Sequence, residues 1–396
     1  MFLTRRNFTA SALAFTATAG GAQTGFDSWR AEFLRKAARA GLSSATLKAA
    51  RPALTFAPEI LPQDARQAEV AKPLQTYLAA AAGSARLRAG RQALKHQRKT
   101  LRIIERRFGV QKEVLTAIWG LESAYGQLRG NRPVLSTLAT LAYEGRRRAL
   151  FEAELIAALE ILEAKQARLA QMRGSGAGAM GHTQFLPSTY QRYGTDFDGN
   201  GRADIWGDDP ADALASTARL LRAEGWVKGQ PSALEVVLPA GFDLALSGRI
   251  FPRSPGAWAA LGVSRAGGGP LPAGQSGALI LPVGPKGPVW MIYQNFHVLK
   301  TYNYADSYAL AIGHLADRLA GGGPLHAGFP SQPWDMSDTA RKRLQQRLTA
   351  KGFDAGPADG VIGEKGRAAI RAYERASGAR VTGVPSAALL AQLTER

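Results

Sequence analysis

In the run AIWGLESAYG, from Ala117 to Gly126, a single carboxyl stands among apolar residues. On a helix turning about 100° per residue, Leu115, Ile118 and Trp119 each fall within roughly 60° of Glu122. The carboxyl therefore projects from the middle of an apolar arc. Burial disfavours a charged carboxylate and raises its pKa, which is what a general acid needs near neutral pH. Residue types alone leave two readings open: an acid prepared for proton transfer, or a structural glutamate paired with one of the chain's many arginines.

A second constellation is DFDGNGRADIWGDD, from Asp196 to Asp209. Asp196, Asp198, Asn200, the carbonyl of Arg202 and Asp204 occupy positions one, three, five, seven and nine of a calcium loop, with Gly201 at the sixth, where the chain must turn sharply. Oxygen ligands alone select a hard cation. The twelfth position is Gly207, so the closing ligand is expected from Asp208, Asp209 or water. The competing reading is a solvated cluster of Asx turns. The five histidines show no zinc spacing, and GSGAGAMG lacks the Lys-Ser/Thr that follows a phosphate loop.

Amphipathic helices must position these residues. From Asp27 to about Arg173 apolar residues recur at three- and four-residue steps, as in WRAEFLRKAARAGL and ALFEAELIAALEILEAKQARL. A glycine-rich stretch, GSGAGAMGHTQFLPSTYQRYG, follows, then the acidic loop and a helix over about 210–222. Between about Pro231 and Tyr293, Gly and Pro punctuate short apolar runs such as LEVVLP and VWMIY, which read as a small β insertion. Helical spacing resumes in YADSYALAIGHLADRLAG. GGGPLHAGFPSQPW then reads as a flexible linker, and about sixty residues with three helices close the chain. A unit that small without a disulfide is marginally stable alone.

The start, MFLTRRNFTASALAFTATAGGAQTG, has the layout of a signal peptide, and Arg5-Arg6 resembles the twin-arginine export pattern. No run of 18 or more apolar residues follows, so no transmembrane helix is expected. The absence of cysteine excludes disulfides, thiolate chemistry and lipid attachment at a cysteine. Fifty Lys and Arg against 31 Asp and Glu leave a net charge of +19, which favours a polyanionic partner. The basic residues read as spread over many helices rather than as one stripe interleaved with aromatics, which argues against nucleic acid.

In order and approximate spacing, AIWGLESAYG, GAMGHTQFLPSTYQRYG, DFDGNGRADIW and NFHVLKTYNYADSYALAIGHLADRL resemble the B-type lytic murein transglycosylases, over about Phe26 to Leu319. The last sixty residues separately resemble the common peptidoglycan-binding domain through LQQRLTAKGF, DGVIG and RAAIRAYERASG. The resemblance implies a mainly α, lysozyme-like catalytic domain with a small β insertion, followed by a three-helix wall-binding module. The expected division is 1–25 signal peptide, 26–322 catalytic domain, 323–336 linker and 337–396 peptidoglycan-binding domain.

The resemblance also implies the chemistry. Glu122 protonates the glycosidic oxygen between N-acetylmuramic acid and N-acetylglucosamine, then acts as base on the muramyl 6-hydroxyl, which closes to a 1,6-anhydro ring. The lack of any Asp or Glu over 174–194 is consistent with such a single-carboxylate, substrate-assisted scheme. Substrate-contacting positions carried over are Ser175, Gln184, Tyr302, Asn303, Tyr308, the basic pair Arg146 and Arg147, and Tyr77, which rests on upstream distance alone. In RLLRAEGW, Leu220 or Leu221 stands where family members can show an aromatic residue, so a sugar-stacking contact is expected to be missing. The implied metal is a structural calcium ion, with no cofactor needed for chemistry. The implied partner is the peptidoglycan glycan strand, met by an exported, periplasmic monomer. Two alternatives compete: a lysozyme-like hydrolase using Glu122 and water, and a catalytically silent wall-binding protein.

Overall fold

The computed structural model describes residues 19–61 and 73–395. The expected signal peptide lies outside the described residues as far as residue 18, and from Ala19 the chain is helical. The chain forms two compact units: one holds 19–229 and 314–321, the other 230–313 and 322–395. Among the described residues no helix is long and apolar enough to cross a membrane.

The first unit is helical, as the three- and four-residue spacing requires. It comprises α1 (Ala19–Arg39), α2 (Ser44–Ala50), α3 (Leu74–Ala81), α4 (Ser84–His96), α5 (Arg98–Phe108), α6 (Lys112–Ser123), α7 (Val134–Glu144), α8 (Arg148–Glu163), α9 (Pro187–Tyr193) and α10 (Ala211–Ala223). Phe26, Trp29 and Phe33 lie on one face of α1 and are buried, with Phe26 edge-on to Tyr143 of α7. The core of the unit runs through α6, where Val114 to Gly120 are all buried. Two short strands, β1 (Arg132–Pro133) and β2 (Arg173–Gly174), pair antiparallel and bring the glycine-rich stretch beside the segment that follows α6.

The second unit begins as the expected β insertion: β3 (Ala233–Val237), β4 (Ser264–Arg265), β5 (Ala278–Ile280) and β6 (Val289–Ile292) form an antiparallel sheet in the order β4-β3-β6-β5. Trp290 opposes Glu235 on one side and Ile280 on the other. Helices α11 (Pro255–Ala260), α12 (Gln294–Tyr302) and α13 (Asp306–Leu319) follow, the last ending within the first unit. The chain closes with α14 (Asp338–Ala350), α15 (Glu364–Ala376) and α16 (Ala387–Glu395).

One expectation changes here. The Gly- and Pro-rich segment between α13 and α14 is not a free tether, because it packs. The backbone N–H groups of His326 and Ala327 each donate to the Glu235 carboxylate on β3 at 2.8 Å, and Trp334, only 6% exposed, joins the core. Val236, Trp258, Leu279 and Met291 share one hydrophobic cluster with Leu344, Leu348, Ile370 and Leu393 of the C-terminal helices. Composition forecasts irregular backbone, but it says nothing about whether an irregular backbone is buried. The shared core also answers the marginal stability expected of a sixty-residue module alone.

Buried charge seals this junction. Arg367 and Arg371, one turn apart on α15, are each 4% exposed. Arg367 donates to the Gly383 carbonyl at 2.9 Å and to the hydroxyl and carbonyl of Ser247 at 3.0 and 3.2 Å, and burial pulls its pKa down to about 10. Arg371 pairs with Glu364 at 2.5 Å, and the backbone N–H of Arg249 also donates to Glu364, at 3.4 Å. The Arg249 guanidinium in turn pairs with Asp306, which Lys300 contacts at 2.8 Å.

Candidate active site

Glu122 stands in the last turn of α6 and is half-buried. The helix ends abruptly, since Ala124 (φ 48°), Tyr125 (φ 60°) and Gly126 (φ 87°) are all left-handed. Two consecutive non-glycine residues in that region carry strain of the kind held only where surrounding contacts over-determine it. Those contacts are on both sides of the turn. The Tyr125 ring folds back over Gly120, where an added Cβ would come within 2.6 Å of it, and its hydroxyl donates to the Arg86 carbonyl of α4 at 2.9 Å. Burial pushes the Tyr125 phenol up to about 12, so it stays protonated.

On the other side, the buried Ser123 hydroxyl donates to the His182 carbonyl at 2.6 Å and accepts from the Gly126 N–H at 3.0 Å. Trp119, one turn before Glu122, donates its indole N–H to Nδ1 of His182 at 3.1 Å, while Nε2 of His182 lies 2.7 Å from the Gly207 carbonyl. An acceptor at Nδ1 and a donor at Nε2 define the neutral imidazole. Consistent with that, burial lowers the His182 pKa and the nearby Arg129 lowers it further. Arg129 donates to the carbonyls of Trp206 at 2.9 Å and of Gly207, and reaches Asp208 at 3.3 Å. A relay therefore ties the end of α6 to the glycine-rich stretch and, through it, to the acidic loop. Sequence reasoning left His182 without a role, and Trp119 only as an apolar neighbour; no spacing signal announces a contact across 63 residues.

The glycine-rich stretch is a folded turn. Gly181 is left-handed (φ 71°), and a Cβ there would meet the Ile205 carbonyl oxygen at 2.2 Å, so only glycine lets the chain pass so close. The Ser175 hydroxyl accepts from the N–H groups of Ala177 and Ala179, at 3.3 and 3.2 Å. Gln184 (φ 55°) donates to the carbonyls of Arg129 at 3.0 Å and Gly181 at 2.8 Å. Both residues brace the turn beside Glu122's helix. Tyr77, Arg146 and Arg147 share the unit of Glu122. Tyr77 is half-buried on α3; Arg146 is exposed and pairs with Glu144 at 2.6 Å; the Arg147 guanidinium lies over the Phe151 ring at 4.8 Å. Tyr302, Asn303 and Tyr308 belong to the other unit. There the Tyr302 and Tyr308 rings stack at 6.3 Å, Tyr308 is buried, and the Asn303 side chain accepts from the Ala305 N–H at 3.0 Å in the turn before α13. Leu220 and Leu221, noted in RLLRAEGW, are both buried on α10.

The acidic loop gathers a carboxylate that loop spacing does not name. The carboxylates of Asp196, Asp198 and Asp212 bring oxygen atoms within 4.8 Å of one another. Asp212, in the first turn of α10, was not among the expected ligands, whereas Asp208 is fully exposed and turned to Arg129. A helix supplies the third carboxylate because the loop doubles back: Asp212 accepts the N–H groups of Phe197 and Asp204 at 2.8 and 2.7 Å. Burial raises the Asp212 pKa, and the charges of Asp198 and Asp196 push it up further, the field that a bound cation would cancel. Within the loop Asp196 accepts from Gly199, Asn200 and Gly201, Asn200 accepts from the Arg202 N–H at 3.0 Å, and Asp204 accepts from Trp206 and Gly207 at 2.9 Å. The oxygen-only donor set fits a hard cation such as calcium.

The helical, lysozyme-like fold is that of the peptidoglycan transglycosylases. Residues 25–317 match the transglycosylase SLT domain and 337–393 a peptidoglycan binding domain, and the chain belongs to the transglycosylase SLT family. It is 35% identical over 226 residues to membrane-bound lytic murein transglycosylase B of Escherichia coli K12; the match covers 54% of this chain and 58% of that protein's length. SltB3 of Pseudomonas aeruginosa, solved with NAG-anhNAM-pentapeptide, is similar at 42% identity and TM-score 0.82, covering 93% of this chain and 99% of SltB3. An Escherichia coli lytic transglycosylase solved with calcium is similar at 28% identity and TM-score 0.63, covering 74% of this chain and 92% of that one.

Proposed function

We propose that the protein cleaves the β-1,4 bond between N-acetylmuramic acid and N-acetylglucosamine in peptidoglycan and leaves a 1,6-anhydromuramyl end. The observation that carries this reading is Glu122, placed by the strained end of α6 and held by the Trp119–His182–Gly207 relay, in a chain of the transglycosylase family. The Glu122 carboxyl gives its proton to the glycosidic oxygen as the bond to C1 breaks. The N-acetyl oxygen of the same sugar stabilises C1. The carboxylate then takes the proton of the 6-hydroxyl, whose oxygen bonds to C1, so Glu122 is restored and no water is consumed. A relative solved with NAG-anhNAM-pentapeptide and with NAG-NAM-pentapeptide supports a peptidoglycan fragment as the ligand.

Ser175 and Gln184 keep the glycine-rich turn in place beside Glu122, and Tyr302, Asn303, Tyr308, Arg146, Arg147 and Tyr77 contribute contacts to sugar or peptide. Calcium, when bound by Asp196, Asp198 and Asp212, supplies charge neutralisation that stiffens the loop holding Arg129 and His182. Residues 337–393 bind the wall, and the protein works in the periplasm. The deciding experiment is digestion of purified peptidoglycan by the wild type and by Glu122→Gln, read by product masses. Anhydromuramyl products from the wild type alone are expected; a reducing muramic acid end, or equal release by the variant, would sink the reading.

A further inference from the structure

We infer that the kinked pair α4–α5 is a docking rail for the carboxylates of peptidoglycan peptide stems, separate from the residues that hold the reacting sugars. Basic residues are spread over many helices, and on this pair they line up without interleaved aromatics. Arg88, Arg91, Lys95, Arg98, Lys99, Arg102 and Arg106 recur at three- and four-residue steps, and all seven are exposed. On each helix they fall within an arc of about 100°, away from the face that buries Leu87, Gly90 and Ala93 on α4 and Leu101 and Ile104 on α5. Gln97 alone separates the two helices, so the stripe continues from one to the next. Between residues 84 and 108 nine Lys and Arg face one acid, Glu105, which is turned to Lys112. Among the described residues none of the seven forms an ion pair.

A row of uncompensated cations repels itself and is retained at a cost in stability unless something anionic lies along it. The occupant is narrowed by what accompanies the charge. The apolar faces of α4 and α5 are buried in the protein, so the pair has no face to insert into a bilayer. No exposed aromatic side chain accompanies the stripe to stack on bases, and its one large exposed apolar residue is Ile103. A linear stripe of guanidinium and ammonium groups, with guanidinium in the majority, suits a linear polymer bearing carboxylates at intervals. The rail is also fixed to the catalytic helix, because Tyr125, three residues beyond Glu122, hydrogen-bonds Arg86 and packs on Gly90 of α4.

This inference rests on the proposed function for the identity of the polymer, so binding and turnover are tested apart. Binding to purified sacculi is measured in a Glu122→Gln background, with and without Arg91→Glu, Lys95→Glu, Arg98→Glu and Arg102→Glu, and with the same four positions changed to Gln. The charge reversal is expected to weaken binding about tenfold at low salt, the neutral set less, and both differences should vanish at high salt. Amidating the peptide carboxylates of the sacculi should remove the same increment from the unreversed protein. In the otherwise wild-type enzyme, turnover of a short soluble muropeptide should stay unchanged. The inference is overturned by unchanged binding to sacculi, by an equal fall in muropeptide turnover, or by loss confined to phosphatidylglycerol vesicles or DNA. Failure of the proposed function would show instead as absence of anhydromuramyl product from the wild type, whatever the binding result. If the reversed variant does not fold by circular dichroism, the Gln set decides.

Discussion

The two units solve different problems with different buried polar groups. Around α6 in the first unit, the buried side chains that brace the helix end are neutral: Trp119, Ser123 and an imidazole that burial keeps unprotonated. At the junction in the second unit they are ionised: Arg367, Arg371, Glu364 and Glu374. A neutral Trp–His–Ser brace fixes a helix end without adding a charge of its own to the field that sets a carboxyl's proton affinity. Ion pairs cut off from water are costly to break and tolerate few alternative arrangements, which suits joining two pieces distant in sequence in one register. The contrast implies that substitutions at Glu122 and its helix end should act on chemistry, and those among the charged groups of the junction on stability.

The strongest test of that contrast is Glu122→Gln. It should lower the rate of glycan cleavage by about 10²–10⁴-fold, the range for a lost general acid, while urea unfolding stays close to wild type. Next is Arg371→Ala, which removes a buried guanidinium from the half-buried Glu364. A loss of about 1.5–3 kcal/mol is expected in the unfolding of the second unit, followed by tryptophan fluorescence. A near-neutral result would show that the charge at the junction is dispensable.

Calcium addresses the first unit's loop. Saturation with a hundredfold excess over Kd should stabilise the wild type by about 2.7 kcal/mol and raise its Tm. Asp212→Asn should abolish that rise and Asp208→Asn should keep it; the reverse pattern would restore the ligand expected from loop spacing. The last effect expected is with pH. Burial, then the charge of Arg318, holds the His314 pKa down at about 4. Below the ordinary value of 6.5 the unfolded chain takes up a proton that the folded protein refuses, so stability should fall from about pH 6.5 towards pH 4 and stay flat above pH 7. His182 and His297 act in the same direction. A His314→Gln variant should show a shallower fall in Tm over that window, and an unchanged slope would assign the effect to other groups.

How much of this was readable in advance differs between residues. Glu122 was, because helical periodicity fixes directions over one turn, and so was the ladder of Asp196 and Asp198, because a turn loop places its ligands by local spacing. Asp212 was not: it joins the cluster only because α10 packs back on the loop. His182 and Trp119 meet through a fold contact, and nothing in either neighbourhood marks the other as its partner. The rail on α4–α5 was in the sequence all along as a three- and four-residue rhythm of cations, but only the burial of the opposite faces shows which side is left to solvent.

By itself, the sequence determined which segments are helices, where the acidic loop turns and which residue types are available for proton transfer and cation binding. These follow from backbone preferences and side-chain spacing within a few residues. Tertiary structure alone decided that the irregular segment before α14 is buried, that the sheet and the C-terminal helices share one core, and that a neutral histidine couples α6 to the acidic loop. Each of those depends on desolvation and close packing between residues distant in sequence, and local preference carries no information about which distant surfaces will exclude water together.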